Sequence, residues 1–360
     1  MIRRYTRRLL LACAAAMVMP GLAVAQQNPI SAPLRKVSFA ISTSAVTIGH
    51  AHLAAIPLAM GYFKEEGLDV SILNFPGAEV LNHVVAGDIV ASDGGTPASI
   101  AAIGAGQKLV TVFASVTGNP YYVVAPEKSS IHSLKDLVGK NVGVYDLAAA
   151  GFTMLRGQLI QEGIDPAKIN FIPIPSPAEA ANALKLGRID TYHGFDIFYS
   201  QLESLGIPLR RVPTQADKVG ALVGMTVRRD MLQKDRELYV KLARAFVKGV
   251  VFAHANPEAA VRLTWKLFPG TKGIGMSEEA ALAAGLRVTS TRYPNIDKVD
   301  GLYGNATEEQ LVTLLDLLTK GGVLQKPLKP ADVWSNTLIA DANKVDFAAI
   351  EQQAKSWKPD

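Results

Sequence analysis

From residue 37 onward the chain alternates short apolar runs with longer stretches whose apolar residues return every three or four positions. That is the rhythm of repeated βα units. The first series predicts strands over 37–41, 68–73 and 109–115, a polar loop at 42–49, and helices over 50–62, 79–86 and 96–103. At 121–124 the pattern restarts with a strand. It continues through a one-turn helix at 133–138, a strand at 141–145 and a helix over 152–161 stopped by Gly163. Ser176-Pro177-Ala178-Glu179 opens the next helix, because the serine hydroxyl can accept an orphan N–H and proline has none to leave unpaired. Gly187 ends it, and brief strands follow at 189–192 and 221–227. Beyond these the pattern is helical over 236–253, 257–267, 277–286 and 307–319, the last opened by a Thr307-x-x-Gln310 capping box.

Two βα series in succession predict an α/β protein of two lobes, each a mostly parallel sheet flanked by helices. Residues 37–118 plus 225–360 are assigned to the first lobe and 119–224 to the second. The chain then crosses between them near 116–124 and 219–227, and paired short crossings of this kind serve as hinges. No internal repeat or low-complexity tract interrupts the pattern.

Composition narrows the class. With 360 residues, 49% hydrophobic and 19% charged, the chain is neither disordered nor collagen-like nor a small disulfide scaffold. The formal charge of +5 comes mostly from Arg3, Arg4, Arg7 and Arg8. The rest of the chain is close to neutral, so a nucleic-acid partner or an anionic membrane surface is not indicated. Those arginines precede an apolar run over 9–19, then Pro20-Gly21 and Ala23-Val24-Ala25. This is the pattern of a cleavable export signal of residues 1–25, cut after Ala25 and read by either the general secretory or the twin-arginine route. The apolar run is too short for a membrane span. Cys13 faintly suggests lipidation, yet only four apolar residues separate it from Arg8. Because Cys13 is the only cysteine, the chain after residue 25 has no disulfide, thiolate metal site or cysteine nucleophile. Zinc-protease, nucleophile-elbow and phosphate-loop patterns are missing, and Gly104-Ala105-Gly106 lacks the third glycine of a dinucleotide loop. No cofactor, metal or catalytic residue is expected.

The candidate chemistry lies at the carboxyl ends of strands, where open α/β sheets bind ligands. Ser42, Thr43 and Ser44 offer hydroxyls after the first strand. Gly94-Gly95-Thr96-Pro97 opens a helix and allows close backbone approach. His50 and His52 are two apart, a spacing that shares no helical face for a metal, although His50 is a ligand candidate. Tyr121, Tyr145, Phe152, Tyr192 and Phe195 fall at strand ends or at the crossing, so two or three are expected to line an aromatic cleft. His193 reads as a packed loop histidine and Arg156 as part of a solvated face.

Three segments carry a resemblance. Pro57-Leu58-Ala59-Met60-Gly61-Tyr62-Phe63-Lys64-Glu65-Glu66-Gly67-Leu68-Asp69-Val70, the segment from Ile131 to Val144, and Ala183-Leu184-Lys185-Leu186-Gly187-Arg188-Ile189-Asp190 occur in matching order. Together they resemble the periplasmic solute-binding proteins of ABC importers, in the subgroup serving nitrate, sulfonates, taurine and thiamine-pyrimidine precursors. The resemblance implies a type II periplasmic binding fold, a small-molecule ligand, permease subunits in the inner membrane as partner, a periplasmic location and a monomer. It also leaves two alternatives, a same-fold pyrimidine-precursor synthase and a binding module for a periplasmic sensor. The synthase has a cysteine-rich iron-binding motif, which this chain lacks. Relatives that bind oxyanions often carry a Ser-Thr pair where residues 145–152 of this chain place alanines, and Asp146 adds negative charge there. Phe195-Asp196 retains the family's aromatic and carboxylate. The ligand implied is a flat heterocyclic or aromatic molecule, with Asp196 accepting its N–H groups, rather than a simple oxyanion. The full candidate set is Ser42, Thr43, Ser44, His50, Gly77, Gly95, Thr96, Asn119, Tyr121, Ala149, Gly151, Phe152, Phe195 and Asp196.

Overall fold

The computed structural model describes residues 33–214 and 219–359; the expected export signal over 1–25 lies outside them. Ten strands build two five-stranded sheets. In the first, β1 (Arg35–Ile41), β2 (Leu68–Asn74), β3 (Ala91–Gly95) and β4 (Leu109–Val116) are joined by β10 (Val223–Arg228) in the order β2-β1-β3-β10-β4. The second takes β5 (Tyr121–Pro126), β6 (Asn141–Val144), β7 (Asn170–Pro173), β8 (Thr191–Phe195) and β9 (Leu209–Val212) in the order β7-β6-β8-β5-β9. β1 pairs parallel with β2 and β3, whereas β10 runs antiparallel to β3 and β4. β6 is likewise parallel to β7 and β8, with β5 antiparallel to β8 and β9. Each sheet is therefore mixed, with four strands pointing one way. The one reversed strand in each is the first that the chain forms after crossing between them.

The apolar runs explain the central strands. All eight residues of β4 are buried, which its near-continuous apolar sequence allows because helices cover both faces. β1 and β4 pack under the long helix Arg236–Ala255, where the rings of Phe39, Phe63 and Phe113 meet Phe246 at 5.1 to 6.0 Å. In the second lobe Val123, Val142, Phe152 and Leu155 form a separate core.

Several expectations are corrected. β3, β7 and β9 are strands that the pattern does not show, since Ala-Ser-Asp-Gly-Gly has no large apolar residue and Asn-Phe-Ile-Pro and Leu-Arg-Arg-Val are only four residues long with two such residues each. The single helix expected over 50–62 is broken into a 3-10 turn at Ile48–His50 and short helices at Ala55–Ala59 and Tyr62–Glu65, with Gly61 at φ +77° between the last two. β8 lies two residues later than expected, because the Asp190 side chain is occupied in accepting the Asn141 N–H at 2.8 Å. The helix expected over 277–286 extends to Arg292, and helices Asp196–Ser204 and Phe347–Ser356 are additional. Because β10 starts at Val223 inside the first sheet, residues 223 and 224 sit with that sheet, and not in the 119–224 segment.

The two crossings lie side by side. Thr117 and Gly118 donate their N–H groups to the Asn295 carbonyl at 2.8 and 3.0 Å, and Ala221 donates to the Thr117 carbonyl at 2.8 Å. Asn295 follows directly on helix Glu278–Arg292, so the C-terminal helices brace the crossings. Among the described residues no helix is long and apolar enough to cross a membrane.

Candidate functional site

The carboxyl ends of β1, β3, β6 and β8 converge on one cavity of about 860 Å3, its open mouth included. The first lobe contributes Ser42 and Thr43 after β1, His50 and His52 from the broken helical segment, Asp93 of β3 and Ser115 of β4. The second lobe contributes Tyr121, Tyr145, Asp146, the segment Ala149 to Phe152, and His193 to Phe195. Arg292 enters from the end of helix Glu278–Arg292.

Glycines let the lobes approach. A Cβ on Gly95 would stand 2.1 Å from the Ala150 Cβ and 2.9 Å from the Tyr121 hydroxyl, and one on Gly49 would stand 2.4 Å from the Ile197 Cδ1. The helix Ala150–Gln161 opens on the cavity with no side-chain cap, because its cap position is Ala149. Its first N–H groups are accordingly left for other acceptors. Tyr145 and Phe195 meet edge-on at 5.2 Å, and with Tyr121 and Phe152 they make four aromatic walls.

Two of the charged residues on the cavity, Arg292 and Asp93, are buried, and Asp146 is half-buried. Arg292 is 5% exposed, and its Nη2 meets the Asp196 Oδ1 at 2.5 Å. The same carboxylate accepts the Ile197 N–H at 2.8 Å and the Asn295 amide at 3.2 Å. Burial pushes the Asp196 carboxyl up, while Arg292, the Ile197 N–H and Asn295 pull it back. Asp93 has no ion-pair partner of this kind. Burial raises it to about 6, although Ser115 and the Arg292 charge oppose the shift.

The imidazoles are neutral. Burial, helped by the Arg292 charge, lowers His50 to about 3, and burial alone takes His193 to about 3. His52 is held well below its usual range, again chiefly by burial and then by the neighbouring His50. The Thr47 N–H donates to the His50 Nδ1 at 3.1 Å, which places the remaining ring proton on Nε2. Among the described residues, four groups on the wall hold polar atoms with no protein partner: both ring nitrogens of His52, the Asp93 Oδ1, the His193 Nε2 and the Arg292 Nε. Buried polar atoms ordinarily find a partner, so their gathering around one cavity marks it as a place for a polar solute.

Ten of the fourteen candidates line the cavity: Ser42, Thr43, His50, Gly77, Gly95, Tyr121, Ala149, Gly151, Phe152 and Phe195. Four do not. Ser44 is exposed on the loop. Thr96 is buried at the start of helix Thr96–Gly104, where its N–H donates to the Leu222 carbonyl. Asn119 accepts the Tyr121 N–H at 2.8 Å and so shapes the crossing. Asp196, expected to accept from the ligand, is fully buried behind the wall because Arg292 claims it. Tyr192 is core, stacked on Phe198 at 4.6 Å with its hydroxyl on the Ile174 carbonyl. His193, read as a packed loop residue, sits in β8 on the wall. Asp93, Ser115 and Arg292 were missed. For Asp93 a signal existed, since it is the one charged residue in the run from Ile89 to Gly106. Among the described residues no group of three or more His, Cys, Asp or Glu is placed to hold a metal.

A family model described as NMT1/THI5 like matches residues 54–260, more than half of the chain. No curated protein matches the sequence. Among solved structures, the alkanesulfonate-binding protein SsuA from Xanthomonas axonopodis pv. citri, bound to MOPS, superposes with a TM-score of 0.64 at 16% identity, covering 84% of this chain and 99% of that one. The periplasmic aliphatic sulphonate binding protein SsuA from Escherichia coli gives 0.63 at 18%, over 84% and 93%. The periplasmic nitrate-binding protein NrtA from Synechocystis PCC 6803 gives 0.58 at 13%, over 89% and 88%. At such identities the likeness is one of fold, two α/β lobes around a cleft.

Proposed function

The chain belongs to the NMT1/THI5-like family, and on that premise we propose that it is an exported solute-binding protein that takes up a small organic molecule between its lobes and presents it to an ABC permease. The fold is that of the type II periplasmic binding proteins. The observation that carries the reading is the cavity itself, with four aromatic walls and unpartnered polar atoms contributed by both lobes. Such a lining suits a flat heterocyclic or aromatic solute, whose faces lie against Tyr121, Tyr145, Phe152 and Phe195 while its edge reaches the polar groups. A solute held by both lobes stabilises the closed arrangement by its differential affinity for it, and closure would form the surface that a permease recognises. Binding, and not catalysis, is the whole task in this reading.

Thermal unfolding of the purified chain with nitrate, taurine, alkanesulfonates, pyrimidines and aromatic acids tests it. A ligand at a hundred times its Kd should stabilise the fold by about 2.7 kcal/mol. Stabilisation by pyrimidines or aromatic acids supports the flat-solute reading. Stabilisation by nitrate or taurine alone overturns it.

A further inference from the structure

Two of the unpartnered atoms on the cavity wall are of opposite sense. Arg292 Nε is a donor only, and Asp93 Oδ1, when ionised, is an acceptor only. Both side chains are buried, at 5% and 3% exposure, and neither is free to swing away. Arg292 is held by Asp196 at 2.5 Å. Asp93 sits in the middle of β3, paired with Ile41 on one side and Met225 on the other, with its carbonyl accepting the Ser42 N–H at 2.9 Å.

The charges are unevenly matched. The guanidinium already faces Asp196, whereas Asp93 shares its cavity with neutral imidazoles, the Tyr121 phenol and a second, half-buried carboxylate, Asp146, which accepts the Ala148 N–H. An oxyanion with no donor would gain the Arg292 Nε–H and meet the Asp93 carboxylate unrelieved. A cation or amine with no acceptor would satisfy Asp93 and leave the guanidinium N–H bare. Leaving a buried polar group unpaired is what makes such sites reject the analogue that lacks a partner for it.

We propose that this cavity selects a flat amphoteric solute, one that places an acceptor oxygen, best a carboxylate, against Arg292 Nε–H and an N–H or O–H donor against Asp93 Oδ1. The acceptor role that the Phe195-Asp196 motif suggested thus falls to Asp93 instead. The inference rests on the cavity being a solute-binding cleft, and it goes further in naming what the solute must carry. The raised Asp93 agrees with it, since an acid whose charge is costly gains most from a donor brought by the ligand.

Calorimetry on the full chain at pH 7 with 2-, 3- and 4-aminobenzoate, benzoate and aniline tests the pairing. At least one aminobenzoate should bind about tenfold or more tighter than both benzoate and aniline. Asp93→Ala should bring that aminobenzoate to within about threefold of benzoate. Asp93→Asn, which keeps an acceptor oxygen in place, should restore part of the preference and guards against a folding defect in the alanine variant. If all five probes bind within threefold of one another, the amphoteric selection is wrong and the solute-binding reading stands. If none binds, the amphoteric selection is overturned, and the flat-solute reading is decided by the pyrimidines of the thermal screen. A tenfold preference that survives in Asp93→Ala places the donor's partner elsewhere and overturns the assignment to Asp93.

Discussion

The carboxylate of Asp196 and the guanidinium of Arg292 meet at 2.5 Å across the junction of the two lobes. One stands at the end of β8 in the second sheet, and the other closes a helix that belongs to the C-terminal part of the chain. Asp196 also accepts from Asn295, whose carbonyl accepts from Thr117 and Gly118 at the first crossing, and the Asp196 N–H donates to the Pro120 carbonyl at 2.9 Å. One carboxylate therefore links the second sheet, the terminal helices and the crossing between lobes. Its work is to set the position of Arg292 and to brace the crossing.

Removing that carboxylate leaves a buried guanidinium unmatched. Breaking such a pair from one side typically costs about 3 to 5 kcal/mol. Asp196→Ala should lower the unfolding free energy by that amount in urea titration, and any loss of affinity should follow from the displaced Arg292. A change below about 1 kcal/mol would mean that Arg292 finds another partner and that the brace is dispensable.

What the sequence made legible follows the size of the apolar residues. β4 and the helix Arg236–Ala255 announce themselves because their buried faces are built from Val, Leu and Phe. β3 does not, since Ala-Ser-Asp-Gly-Gly is a strand only because its neighbours supply the ladder and the helices supply the cover. Most of the cavity could be placed from one rule, that ligands sit beyond strand carboxyl ends. That rule found Ser42, Gly95, Gly151 and Phe195. It could not find Arg292, which reaches the cavity from a distant helix whose last turn, from Arg287 to Arg292, carries mainly polar residues. Nor could it show that the exposed-looking Asp196 begins a helix and turns back on its own Ile197 N–H.

Acid should destabilise the fold through the cavity histidines. The folded state keeps His50 and His193 neutral down to about 3, and His52 is also held well below its usual range. The unfolded chain protonates all three near 6.5, so their stabilising contribution is lost as pH falls below that value. Asp93 acts in the other direction: burial raises it to about 6, above the ordinary aspartate range, so acidification from 6 to about 4 favours the fold by up to one proton. Asp196, also raised by burial, acts with Asp93, while the lowered His254 acts with the three cavity histidines, so unfolding takes up protons net and stability falls as pH drops from 6 to 5. Urea midpoints at pH 6, 5.5 and 5 read the slope. His193→Leu should remove about one proton from it, and a flat profile in the parent would show that water reaches these rings.

Closure should depend on Gly95, which faces the opposite lobe across the cleft. Gly95 has ordinary extended backbone, φ −62° and ψ 116°, so a side chain there strains nothing within its own lobe. Across the cleft, however, its Cβ would fall 2.1 Å from that of Ala150, far inside any tolerable contact, and Ala150 begins a helix that cannot retreat alone. The lobes must then part. Gly95→Val should leave the thermal midpoint within a few degrees of the parent, weaken binding of any cleft ligand by about tenfold or more, and give a larger radius of gyration in small-angle scattering. The parent with a saturating ligand should show the smaller radius, and the variant should keep the larger one under the same ligand. Identical scattering from both, with binding confirmed separately, would mean that the lobes are fixed relative to one another and that solute enters without a hinge.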